Sequence, residues 1–548
     1  MSAERLFRVL GLVSPDLIDE ALPGRKAARP FPWRRWAAAA ACLALVCALG
    51  LGWLVTGGFQ GFGSMGSSGA DSGGSPVAGE AGPSADPGSS EEPSSSAGGV
   101  GLEDGITFMS YAGPVFPLTT AEDSAGLTAE RCVTWDFAPG TNSHGEVRQW
   151  GATVTDDYVL HNPTDADVQV TALYPFAGDF NSLAELRPGV AVNGESVETT
   201  LYAGPYSGGF QSTFGAELPD TMNLDTINSW QEYKALLESG TYLSQALGDY
   251  PVLDIPVTVY EFTNFAAPHE RYQAATQAVS FSIDESATQI LTCGFNGGEW
   301  DEGFRRYSYF VPDGRRNEPE LKVLAVLGQD IGSYTLQGYQ DGGCDAGEEI
   351  DGVSCTVTRS ETTMDALLDR LCRAYVAQYA QGRAVDQDNA FDAVSFHMYR
   401  GAVAELLTQY GLLSPAPADR YGDGRLDDIL SETLSHSRVL YLAFPVTVPA
   451  GGSATVQCTL WKPPSYDFEC SGSEHAGLQG YDLVTHLGST LEFTRRSAAL
   501  VNLAGMEITG QNFGFDPAKG IAAVDLDPER EHYFLELRPL EENENLCS

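Results

Sequence analysis

Two short stretches of the 548-residue chain set aromatic rings beside charged groups, and recognition chemistry is sought there first. Gly297–Tyr307 (GGEWDEGFRRY) places Trp300 among Glu299, Asp301 and Glu302, with Arg305 and Arg306 close behind. An indole offers a flat apolar face and carboxylates accept hydrogen bonds from hydroxyls, a combination that suits carbohydrate. A pair of carboxylates could also hydrolyse a glycosidic bond. Tyr202–Phe214 (YAGPYSGGFQSTF) interleaves rings with glycine around Tyr206. Tyr206, Trp300 and Asp301 are therefore the candidate ligand-binding residues. The plainer reading of both stretches is a solvated loop whose rings anchor in a core.

Metal and covalent chemistry find less support. Asp419–Asp428 (DRYGDGRLDD) imitates a calcium loop, with Asp419, Asp423, Gly424 and Asp427 at loop positions one, five, six and nine. Tyr421 and Leu430 stand where two oxygen donors belong, so a polar turn capping the next helix is preferred to a calcium site. The eight histidines are scattered without an HExxH pair, and GxSxG, SxxK and phosphate-binding glycine loops are missing from the sequence. No catalytic residue, metal or cofactor is assigned, although a Ser–His–Asp set is defined in space and not by linear order. Of the eight cysteines after residue 56, Cys344/Cys355 and Cys458/Cys470 are spaced for short-loop disulfides. Buried free thiols are the alternative, and the lack of a CxxC pair disfavours structural zinc.

Charge then fixes what surrounds these residues. Residues 1–56 carry seven Lys/Arg against four Asp/Glu, a net +3, which leaves −46 for the rest of a chain whose total is −43. Such a surface repels phosphate backbones, so nucleic acid is not expected as a partner. Trp36–Val55 (WAAAAACLALVCALGLGWLV) is uncharged and long enough to cross the ~30 Å hydrocarbon core as a helix. Arg25, Lys26, Arg29, Arg34 and Arg35 precede it and no base follows it closely. The positive-inside rule then predicts a single-pass protein of the cytoplasmic membrane, N-terminus inside and bulk outside.

The elements follow in order. Residues 1–35 read as a cytoplasmic lead with two short helices, 36–55 as the transmembrane helix and 56–101 as a Gly/Ser/Pro-rich tether. Residues 102–355 alternate as strands do and predict a first β-rich domain. Within it, Thr155–Phe176 reads as one hairpin about Asn162-Pro163-Thr164-Asp165, and a second hairpin turns at Asn193-Gly194. Residues 356–435 carry a helical pair: Met364, Leu367, Leu368 and Leu371, then Val394, Met398, Ala402 and Leu406, recur at helical spacing. Residues 436–548 return to strands as a C-terminal β-rich domain. The fold class expected is mainly β with α insertions, in β-sandwich-like outer domains.

The lead LVSPDLIDEAL, the WRRW edge, the Ala/Leu span, the tether and the stretches RCVTWDF, YVLHNPTDADVQVTALYPF and VNGESVETTLYAGPYSGGF together resemble uncharacterised single-pass envelope proteins of gram-positive anaerobes. The likeness covers about half the chain and implies location without any chemistry. Zinc-bearing anti-sigma factors share this layout, but residues 1–35 hold neither His nor Cys. The function expected is a binding or structural module at the cell envelope, with an envelope glycan or protein as ligand. The alternatives are a transmembrane signal transducer, with a cytoplasmic protein on residues 1–24, and an extracytoplasmic hydrolase.

Overall fold

The computed structural model describes residues 112–540, except 125, 143–144, 146, 149, 207–233, 235–236, 269–274, 312–320, 382–388, 418–419, 421–423, 468–476 and 504. The expected lead, membrane helix and tether lie outside the described residues. Among the described residues no helix is long and apolar enough to cross a membrane.

The chain is mainly β, with several sheets and a helical insertion. Thr128–Asp136 shows why: buried and half-buried positions alternate along all of it, the two-residue period of a strand with one face in a core. It lies in a seven-stranded sheet between Ala152–His161, which runs antiparallel to it, and Glu492–Asn502, which runs parallel. Ser453–Lys462 pairs on the other side of Ala152–His161. A four-stranded sheet pairs Val168–Gly178 with Arg438–Val448 over their full length. Strands from both ends of the chain thus build the same sheets. Strands of the expected 102–355 and 436–548 stretches therefore pair directly with one another.

The hairpin expected over Thr155–Phe176 is corrected. Both strands exist, but Ala152–His161 belongs to the seven-stranded sheet and Val168–Gly178 to the four-stranded one. The Asn162–Asp165 segment carries the chain from one sheet to the other. Arg438–Val448 and Ser453–Lys462 make the same passage in the opposite sense, so two strand pairs turn the corner together. The Asn193-Gly194 turn is as expected: φ is +52° and +82° at its two residues, and Gly189–Val192 pairs with Glu195–Ser196.

Residues 256–363 form two further sheets. One has the order Thr288–Cys293, Lys322–Gly328, Pro256–Ala266, Ser354–Thr363. The other is built on Gly297–Asp301, Phe304–Phe310, Thr276–Ser282 and Tyr334–Tyr339. Phe262, Ile290 and Leu324 of the first meet Phe281, Tyr307 and Tyr309 of the second in one core. Trp135, Val154 and Leu500 of the seven-stranded sheet likewise meet Tyr481, Leu535 and Leu537 of a C-terminal four-stranded sheet.

A four-residue helix α1 (Leu183–Leu186) and a six-residue helix α2 (Thr241–Ala246) punctuate the strands. The expected helical pair is present as α3 (Met364–Gln381) and α4 (Phe396–Gln409), and α5 (Leu426–Ser435) joins it. Ser395 caps α4, its hydroxyl accepting the Met398 N–H. Leu367, Leu371, Ala402, Leu406 and Leu430 bury the inner faces in a core shared with Val257, Leu291 and Val323 on one side and Tyr158, Tyr174 and Val456 on another. Tyr375 stacks on Tyr399 at 5.9 Å, as core aromatics at helical spacing do.

Candidate functional site

Trp300 lies on the edge strand Gly297–Asp301, whose partner Phe304–Phe310 returns after a turn at Glu302-Gly303. Gly303 has φ +78°, and a Cβ there would fall 2.7 Å from the Ile283 carbonyl, so this turn needs glycine. Cross-strand pairing sets Trp300 opposite Arg305 and Gly298 opposite Tyr307. The indole folds back over Gly298, where a Cβ would lie 2.8 Å from the ring. It meets Tyr307 edge-on at 6.3 Å and donates from Nε1 to the Tyr307 hydroxyl at 3.3 Å. Tyr307 is buried, so the indole is braced from below while 45 % of Trp300 stays exposed.

Arg305 and Glu285 complete this face. Arg305 reaches Glu285 at 2.7 Å and donates to its own neighbour's Phe304 carbonyl at 2.7 Å. Glu285 also accepts the Gly303 N–H at 3.1 Å, so one carboxylate ties the turn to the arginine. The Arg305 hydrogen bond, the Gly303 N–H and the arginine's charge hold this carboxyl below its usual range. Trp300, Arg305, Tyr307 and Glu285 border a cleft of about 180 Å³ that Gln289, Leu412 and Arg420 also line. Arg420 is fixed by the Ser414 and Pro415 carbonyls, and Gln289 donates to the Leu412 carbonyl.

The three candidate residues separate. Asp301 follows Trp300 on a strand, so it points to the opposite face, with Glu299. There Glu299 pairs with Arg306 at 2.8 Å, and the Asp301 carboxylate caps the Glu302 N–H at 2.9 Å. Asp301 does not line the cleft. Tyr206 ends strand Thr200–Tyr206, which belongs to another sheet and pairs there with Arg438. Glu285 and Arg420 were missed in the sequence because both lie outside the aromatic stretch. The alternation of GGEWDEGFRRY did carry the signal that parts Trp300 from Asp301.

The remaining candidates resolve as follows. Cys344 and Cys355 are free thiols. Cys344 packs with Ala278 and Tyr339, while Cys355 packs against the core that holds Phe262 and Tyr309, and no disulfide joins the two expected partners in this structure. Cys458 is a buried free thiol, and Cys470 lies outside the described residues. Asp419, Tyr421 and Asp423 of the calcium-like loop are also outside them. Asp427 spends its carboxylate on the Gly294 N–H at 2.8 Å, and Leu430 is in the core. Among the described residues no group of His, Cys, Asp and Glu is placed to hold a metal. Ser465, Asp482 and His532 do assemble, with His532 Nε2 3.0 Å from Asp482 and Ser465 Oγ accepting the Asp482 N–H. All three are closed off from solvent, which makes them a structural cluster.

No protein-family model matches this sequence, and no curated protein matches it significantly.

Proposed function

We propose that this chain is a recognition module of the cell envelope, anchored in the cytoplasmic membrane by residues 36–55 with its β-rich body outside, and that it acts by binding without catalysing a reaction. Its paired sheets are read as sandwich-like layers that hold hairpin tips rigidly toward a ligand. The carrying observation is Trp300, a half-exposed indole braced by Tyr307 at the mouth of a cleft flanked by Arg305 and Glu285. A sugar ring would lay its C–H face on the indole while its hydroxyls reach Arg305, Glu285 and Gln289. Glu285 is the one carboxylate lining the cleft among the described residues, and it is engaged with Arg305. Hydrolysis of a glycosidic bond ordinarily needs a second carboxylate facing the first, so this arrangement favours binding.

Two experiments test the reading. A reporter active only after export, fused after residue 101, should be active, and fused at residue 24 it should be silent. The full chain in lipid nanodiscs, screened against envelope glycan fragments, should retain at least one of them. The reverse reporter pattern would end the placement outside, and retention of none would end the glycan reading.

A further inference from the structure

A second cavity, of about 540 Å³, opens beside α1 and is separate from the Trp300 cleft. That volume is in the range of small-molecule sites. Phe180, Leu183, Leu201 and Leu442 give it an apolar floor, and its two charged lining residues are Arg187 and Asp392. Arg187 ends α1 in the left-handed region, at φ 45° and ψ 53°, with its N–H on the Leu183 carbonyl. Glycine is the usual residue there, because a Cβ crowds the following carbonyl. The chain holds an arginine in that conformation, although 74 acidic residues outnumber its 31 basic ones. The Arg187 guanidinium makes no hydrogen bond or ion pair with any described residue, and the Asp392 carboxylate makes none either. Two opposite charges thus border one apolar cavity and lie too far apart to pair with each other.

We infer that this cavity binds a short apolar peptide as a zwitterion, its carboxylate on Arg187, its ammonium toward Asp392 and its side chains on the floor between them. Charge-assisted hydrogen bonds to a guanidinium favour a carboxylate, and a carboxylate without a partner among the described residues favours a compact cation at the other end. Both charges stay at the solvated rim, which spares the ligand the cost of burying them.

The test is calorimetric titration of trileucine into the full chain in lipid nanodiscs. Wild-type protein should bind it. Arg187→Gly should weaken binding at least tenfold while leaving the melting temperature unchanged or higher, since glycine relaxes the left-handed position. N-acetyl-trileucine should bind more weakly to wild type, and Asp392→Asn should remove that preference. Trp300→Ala should change none of these values, which separates this site from the cleft. Absence of trileucine binding to wild type, or affinity unchanged in Arg187→Gly, would overturn the inference.

Discussion

The side-chain amide of Asn162 donates to the Val448 carbonyl at 3.0 Å, joining two chain passages that lie 286 residues apart. The same Nδ2 reaches the Ala166 carbonyl at 2.8 Å and the Pro449 carbonyl at 3.1 Å, while Oδ1 accepts the Thr164 N–H at 2.9 Å. Backbone bonds from Asn162 N to the Gly452 carbonyl and from Gly451 N to the Thr164 carbonyl close the corner. One buried amide therefore satisfies the carbonyls exposed where two strand pairs leave one sheet for the other.

Replacing Asn162 by Ala should destabilise the protein by about 2–3 kcal/mol, because buried carbonyls lose their donor. Thr164→Ala, at the rim of the same corner, should cost about 1 kcal/mol or less. Urea unfolding of both variants checks the order. Equal losses would mean that the turn sequence, and not the amide, holds the corner.

Arg131 and Asp156 form a buried ion pair at 2.7 Å inside the seven-stranded sheet. Tyr158 donates to the same carboxylate at 2.7 Å, and the guanidinium also bonds the Phe116 and Val484 carbonyls. Arg131→Met should cost about 3–5 kcal/mol, since it strands a buried carboxylate. Arg131→Met with Asp156→Leu should be less harmful than the single change, because no buried charge is left alone. A double variant worse than the single one would show that the guanidinium's carbonyl contacts outweigh the pair.

His436 supplies a pH dependence of defined sign. Burial first, and then the Arg438 charge, push its pKa down to about 4. Its Nε2 lies 3.3 Å from the Tyr410 hydroxyl, which also donates to Glu432 at 3.1 Å. The unfolded chain binds a proton at His436 below its ordinary pKa near 6.5, and the folded chain does so only below about 4. Its contribution to stability is therefore complete above pH 6.5 and is lost as pH falls toward 4, by up to about 3 kcal/mol. Burial raises the Glu432 and Glu405 carboxyls, which acts in the opposite sense, so the comparison must be with His436→Asn. The variant should show a shallower loss between pH 6.5 and 4, and parallel curves would contradict the assignment.

Local periodicity made the elements legible but not their partners. Tyr158 and Leu160 alternate as strand residues, and so do Val170 and Ala172, but either a hairpin or a passage between sheets accommodates the residues that join them. The choice is made by Arg438–Lys462, which supplies a partner to each strand from far along the chain. Helices α3 and α4 were legible because their apolar spacing is local and long. At the cleft, composition alone pointed to Trp300, and strand alternation was enough to set Asp301 apart. Glu285 was invisible because its role depends on a turn that brings Gly303 N–H and Arg305 to it.

The most direct test of the binding reading is calorimetric titration of a retained glycan fragment into the full chain in nanodiscs, with Trp300→Ala and Asp301→Asn alongside wild type. Trp300→Ala should lower affinity at least tenfold, about 1.4 kcal/mol or more, because it removes the exposed ring at the cleft mouth. Asp301→Asn should bind as wild type does, since that carboxylate faces away, and both variants should melt with the parent. Affinity unchanged in Trp300→Ala, or turnover of the glycan abolished by Glu285→Gln, would contradict recognition without catalysis at this site.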